Sequence, residues 1–252
     1  MKSNRGQLIV ALDVETFDEA RKLVDTLGPA VDIFKVGSQI FTSCGPVIVR
    51  HILARGKKVF LDLKFHDIPN TVANAVSAAA GLSMLGHDAK DEELKKTVPT
   101  GELLMCTVHT LGGKEMMQRA VESSQQKAKT LGIKRPLIIG ITVLTSQGGV
   151  DNISRIVLDR AILAKESGLD GVVASSQEAA LIRRELGEQF VIVTPGIRWA
   201  GSDQGDQKRV TTPKEAILNG SDYLVVGRPI VEADNPLEAA QRILKEIQQA
   251  KS

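Results

Sequence analysis

Eight short runs rich in β-branched and other apolar residues recur along this chain: LIVALDV, IFKVGS, KVFLDLKF, LLMCTVHT, PLIIGITVL, GVVASS, FVIVTPGI and YLVVGRPI. They are nearly continuous in hydrophobicity rather than alternating, as strands covered on both faces should be. Helical stretches separate them. Thr16 with Glu19, Ser175 with Glu178, Thr212 with Glu215 and Asn235 with Glu238 have capping-box spacing. Pro213 and Pro236 fall at first-turn positions, where a missing N–H costs nothing. Gly28, Gly56, Gly168, Gly187 and Gly220 then stand where helices should stop before the next strand. Eight such alternations imply a parallel sheet, and at 252 residues the sheet is expected to close into one (β/α)8 TIM barrel, a single domain over 1–252. The one break in rhythm is residues 88–102, DAKDEELKKTVPTGE, whose charge marks a solvated insertion before the fourth strand.

Bulk properties remove several function classes. Thirty-two basic against 30 acidic side chains leave a net charge of +2, too little for a nucleic-acid-binding or membrane-attracted surface. Cys44 and Cys106 are the only cysteines, so neither a disulfide framework nor a Cys-rich zinc site is indicated, and a reducing cytoplasm is the expected setting. The opening MKSNRGQLIVALDV has an apolar run too short to span a bilayer, and it reads as the first strand. The four His have no metal-ligand spacing, and no P-loop or dinucleotide fingerprint occurs, so no metal and no nucleotide cofactor is expected.

In a barrel of this class the site lies at the C-terminal ends of the strands, so polar residues there carry the functional signal. Charges end or interrupt three early strands: Asp13, Lys35, and Asp62 with Lys64. Asp62 and Lys64 are two apart and share parity with Phe60, which puts both on the inner face of a strand. Asp67 follows where that strand becomes a loop. Unpaired buried charge is costly, so two Lys and three Asp, or two of each if Asp13 faces elsewhere, are expected to compensate one another. TPGIR and VGRPI close the seventh and eighth strands, the usual place for a phosphate site in this fold. Gly196 and Gly227 let backbone N–H groups approach an anion, Arg198 and Arg228 offer forked donors, and a helix N-terminus nearby would add its dipole. Thr145 and Ser146 end the fifth strand; their hydroxyls would either bind a ring or cap the next helix.

The run DLKFHDIPNT at 62–71 resembles the signature of the orotidine 5'-phosphate decarboxylases in their bacterial form. ALD at 11–13, FKVG at 34–37, LTS at 144–146, VTPGIR at 193–198, DQKR at 206–209 and VVGRPI at 225–230 resemble it too, in order along the chain. Gulonate phosphate decarboxylases and hexulose phosphate synthases share the D–x–K–x–x–D core but not the IPNT continuation. The resemblance implies decarboxylation of orotidine 5'-phosphate to UMP, without metal or organic cofactor. By the same resemblance Asp13 and Lys35 bind the ribose region, and Asp62, Lys64 and Asp67 form the charged network at the reacting carbon. Thr145 would contact the pyrimidine, and Arg198, Gln207, Gly227 and Arg228 would close over the phosphate. It further implies a homodimer in which Asp67 and Thr71 reach the partner's site. The segment 88–102 departs from the family pattern without touching these motifs.

Overall fold

The computed structural model describes residues 5–84, 101–144, 152–199 and 210–251. All eight apolar runs form strands: β1 (Gln7–Ala11), β2 (Ile33–Gly37), β3 (Lys58–Phe65), β4 (Glu102–His109), β5 (Leu137–Ile141), β6 (Gly171–Val173), β7 (Val191–Thr194) and β8 (Tyr223–Val226). Each pairs in parallel with the next, and β8 returns to β1, closing the barrel. The near-continuous hydrophobicity has the cause expected of it. In β1, Ile9 and Ala11 join the packed barrel interior, while Leu8 and Val10 join the layer under the helices.

Ten helices among the described residues surround the strands: α1 (Phe17–Leu27), α2 (Ser38–Cys44), α3 (Val47–Ala54), α4 (Pro69–Gly81), α5 (Gly113–Leu131), α6 (Ile153–Glu166), α7 (Ser176–Leu186), α8 (Pro213–Leu218), α9 (Arg228–Val231) and α10 (Pro236–Lys251). Capping boxes start α1 at Thr16 and α8 at Thr212, and Asn235 exchanges two bonds with Glu238 before α10. The box expected at Ser175 does not form. Its hydroxyl accepts from Gln177 N, and Glu178 turns inward, 1% exposed, to take a bond from the Ser154 hydroxyl of α6. Gly187 ends α7 at φ 80, a region costly for other residues, whereas Gly28 ends α1 in right-handed geometry at φ −50. Of the segment 88–102, residues 88–100 lie outside the described residues. Glu102 already opens β4, and Gly101 N donates to Leu53 O, so this end is part of the barrel wall.

The floor of the barrel carries its own buried ions. Arg183 is 9% exposed and donates to the carbonyls of Gly187, Phe190 and Gly220 and to the Asp222 carboxylate at 2.7 Å. Asp222 also accepts from Ile192 N at 2.8 Å. Arg135 and Asp170 repeat the arrangement two strands away, where Asp170 accepts from Ile138 N at 2.7 Å.

Candidate active site at the barrel mouth

At the other end, the inner rows of β1, β2 and β3 finish in charge. Lys35 Nζ donates to Asp13 Oδ1 at 2.9 Å and lies 3.9 Å from Asp62 Oδ2. Lys64 Nζ donates to the same Asp62 Oδ2 at 2.8 Å. The result is one alternating array, Asp13–Lys35–Asp62–Lys64, with no net charge. Lys35 and Asp62 are each only 11% exposed through their side chains, and a lone charge at that depth would be costly. Asp13 therefore faces the network.

Lys35 and Gly37 lie on the same face of β2. A Cβ at Gly37 would stand 2.8 Å from Lys35 Nζ and 3.3 Å from Asp13 Oδ1, so the absent side chain is what makes room for this ion pair.

Strand β3 leaves regular geometry where its chemistry begins. Leu61 pairs with Cys106 and Phe65 with Val108, so Asp62, Leu63 and Lys64 together face only Thr107 on β4. Lys64 has φ 52, rare for a residue with a side chain. Its pairing with Asp62 thus comes from a bulged, left-handed backbone rather than from strand alternation alone. Thr107, fully buried, fills the gap: it accepts from Lys64 N at 2.8 Å and donates to Asp62 Oδ1 at 3.0 Å.

The array lines a pocket of about 570 Å³ that also takes in Pro195, Gly196 and Arg198 after β7 and Gly227 and Arg228 after β8. The two expected clusters therefore share one cavity, adjoining where β8 pairs with β1. Gly196 has φ 76, so glycine is required there. A Cβ at Gly227 would meet Ala11 and Asp13 only at an ordinary 3.6 Å, so its own neighbours do not demand glycine. Arg198 is 9% exposed and is held by backbone bonds, Arg198 N to Thr211 O at 2.9 Å and Thr211 N to Gly196 O at 3.2 Å. Phe60, Ile141, Val143, Val173, Val193 and Val225 give the pocket an apolar wall, and Gln39, Leu144 and Glu232 complete it.

Asp67 and Thr71 do not join this chain's own pocket. Both are exposed, on the β3–α4 loop and the first turn of α4, and the Asp67 carboxylate accepts from Ile68 N at 2.6 Å. Thr145 and Gln207 lie outside the described residues. Beside the loop the rings of His66 and His109 stack at 5.2 Å. Burial, then the neighbouring His66, Arg160 and Lys64, hold the His109 imidazole below its ordinary pKa. Cys106, next to Thr107, has its thiol pushed up to about 12 by burial, so it is no nucleophile. Among the described residues, no group of three or more His, Cys, Asp or Glu is arranged to hold a metal ion.

Thr107, Gly37 and Gln39 were not singled out by strand-end reasoning. Thr107 had a signal: it is a polar residue inside LLMCTVHT, at the parity of Met105, which faces the barrel interior.

Known proteins match over nearly the whole chain. The family model described as "Orotidine 5'-phosphate decarboxylase / HUMPS family" matches residues 6–89 and 100–243, and its gap falls inside the charged segment. The orotidine 5'-phosphate decarboxylase of Moorella thermoacetica is 46% identical over 98% of this chain and 94% of its own length. That of Geotalea daltonii is 45% identical over 96% of both. The crystal structure of orotidine 5'-phosphate decarboxylase from Lactobacillus acidophilus superposes with a TM-score of 0.77 at 34% identity, covering 96% of this chain and 98% of that one. Charged array, paired phosphate-type strand ends and these matches agree: the chain belongs to the orotidine 5'-phosphate decarboxylase / HUMPS family.

Proposed function

We propose that this protein decarboxylates orotidine 5'-phosphate to UMP, the step that completes a pyrimidine nucleotide, with Lys64 as the proton donor to C6. The observation that carries the reading is the Asp13–Lys35–Asp62–Lys64 array in one pocket with Arg198 and Arg228. Loss of CO2 breaks the bond between C6 and its carboxyl carbon and leaves the electron pair in the ring plane, outside the π-system. A fixed cation beside that carbon is then the main available stabilisation, and a single preorganised donor is typically worth ~3–4 kcal/mol. The Lys64 ammonium, held by Asp62, lies where it can meet the developing carbanion and then transfer a proton to C6. Solvent restores the proton. Asp62 faces the departing carboxylate, and Asp13 and Lys35 hold the ribose hydroxyls. Thr145 binds the pyrimidine.

Arg198 and Arg228, with Gly227 and Gln207, take the phosphate, whose binding energy is then used at a reacting carbon some distance away. The apolar wall excludes water from the ring. No metal or organic cofactor is required by this chemistry.

Asp67 and Thr71 act across a homodimer. Their exposure supports this, as does Ile68, 66% exposed beside Asp67, with Leu111, 58% exposed, two residues beyond the stacked His109. Co-refolding Lys64→Ala with Asp67→Ala chains should then restore roughly a quarter of wild-type activity per chain, one intact site in half of the dimers. No recovery in verified mixed dimers would place Asp67 in its own chain's site. A cytoplasmic location belongs to the same reading; among the described residues no helix is long and apolar enough to cross a membrane.

The deciding experiment follows the absorbance of orotidine 5'-phosphate with chelator-treated protein. Turnover to UMP is expected to survive chelation. Turnover of a phosphosugar instead, dependent on Mg2+, would move the chain to the gulonate or hexulose phosphate branch. Nucleotide binding without turnover would make it a silent barrel.

A further inference from the structure

We propose that Thr107 is a positioning residue for Lys64 and Asp62, setting the relative placement of ammonium and carboxylate through one buried hydroxyl. The inference rests on the reading that Lys64 meets the substrate. Its basis is the geometry of the bulge. Between Leu61 and Phe65 the β3–β4 ladder has three residues on one side and Thr107 alone on the other. Lys64 N, in a left-handed backbone, donates to Thr107 Oγ1 rather than to a ladder carbonyl. A hydroxyl has a single proton, and Thr107 directs it to Asp62 Oδ1 at 3.0 Å, so it can only accept from Lys64 N. Asp62 is thereby bound at both oxygens, Oδ1 by Thr107 and Oδ2 by the Lys64 ammonium at 2.8 Å. One side chain thus fixes the backbone of the proton donor and the rotamer of its counter-ion.

Cys106 and Val108, on either side of it, belong to the layer under the helices, so Thr107 has no packing role to share with that layer. Valine at this position would keep the volume and lose both bonds. Precise charge placement requires that the groups meeting the substrate be held rigid by contacts of this kind.

The test compares T107V and T107S in the intact protein. T107V is expected to lower kcat about 10- to 100-fold, the scale of a lost bond to a charged group, with KM within about threefold. T107S keeps the hydroxyl and should stay within about threefold of wild-type kcat. A second readout needs no substrate. An amine-specific reagent, with modification read by mass spectrometry, should label Lys64 more than about threefold faster in T107V, because a loosened Asp62 no longer pins Lys64 Nζ at 2.8 Å and the amine is freer to turn toward the reagent. Exposed Lys114 is the internal reference. If T107V does not fold, T107C, near-isosteric with T107S but a poor hydrogen-bonding group, takes its place in both measurements.

Unchanged Lys64 labelling in T107V, wild-type kcat in T107V, or an equal loss in T107S would overturn the proposal. Failure of the wild-type protein to decarboxylate orotidine 5'-phosphate would instead overturn the functional reading, and the labelling result would still decide the role of Thr107.

Discussion

At the floor of the barrel, the Arg183 guanidinium meets three carbonyls and a carboxylate, and Asp222 also accepts a strand N–H. At the mouth, Lys64 meets one carboxylate oxygen through its ammonium, and its side chain remains 38% exposed toward a pocket. Both ends bury ions, yet the floor closes them with backbone and the mouth leaves donors facing space. Charge closed off by backbone carbonyls and a carboxylate holds the barrel floor together. Charge left half-satisfied beside a cavity is ready for a ligand, and a fold keeps it only where something else binds there.

The contrast predicts opposite phenotypes. Lys64→Ala should lower kcat about a thousandfold or more, while UMP affinity stays within about tenfold, because the product has no carbanion to stabilise. Its melting temperature should hardly move. Calorimetry showing UMP affinity lost together with activity would make Lys64 a binding or folding residue. Arg183→Met should do the reverse. Removing one partner strands the Asp222 carboxylate, 13% exposed, and three carbonyls. Breaking a buried pair this way costs about 3–5 kcal/mol, roughly a 10 °C drop in Tm for a chain of this size. Activity per folded molecule should be unchanged within about twofold, since the floor lies at the opposite end of the strands. A fall in kcat at full folding would show that floor and mouth are coupled, and the comparison would fail.

A smaller effect sharpens it. Gly37→Ala places a methyl 2.8 Å from Lys35 Nζ. The obstructed atom is the tip of a flexible side chain, so the chain can yield with little loss of stability. What must yield is the ammonium itself. We expect kcat/KM down about tenfold, the scale of a mild misplacement in a preorganised site, with Tm within about 2 °C. A variant with wild-type kcat/KM would show that the ion pair does not depend on that space, and an unfolded one would show that the ammonium tip cannot yield to the methyl.

Much of this was legible in the chain because barrel strands announce themselves twice, by two-sided hydrophobicity and by charges ending an apolar run. Asp13, Lys35, Asp62 and Lys64 meet as compensation of buried charge requires. Strand parity gave the right neighbours for Asp62 and Lys64 through an incomplete reason, since the Lys64 backbone is left-handed and period-two counting does not describe it. Nothing local in the sequence marks that bulge; it exists because β4 offers one residue against three. The outward direction of Asp67 was equally hidden from charge counting, which knows how many ions must balance but not where a loop turns. Glu178 shows the same limit in a helix: its spacing suits a cap, but tertiary contact with Ser154 draws it inward.

The smallest expected effect concerns pH and the stacked rings at the mouth. Burial, chiefly, and then the positive potential of His66, Arg160 and Lys64, disfavour the protonated form of His109 in the folded protein. In the unfolded chain the same ring takes up a proton near its ordinary value of about 6.5. The unfolded state therefore binds more protons below that value, and stability falls as pH drops through it; above it the penalty vanishes. His51 is shifted in the same direction, again mainly by burial, so one substitution should remove only part of the slope. Glutamine at 109 can still accept from Leu111 N, the bond His109 Nδ1 now takes at 3.2 Å, but it cannot titrate. Between pH 7.5 and 5.5 the melting temperature of His109→Gln should fall less than that of wild type, by about 1 °C. The acidic groups whose carboxyls are held low, Glu19, Asp25 and Glu215, lose their contribution only at more acid pH and leave this window clear. Parallel slopes for the two proteins would mean that His109 carries no such burden. The mouth would then tolerate a second cation beside Lys64, and the contrast between a floor closed by backbone and a charge-selective mouth would lose one of its supports.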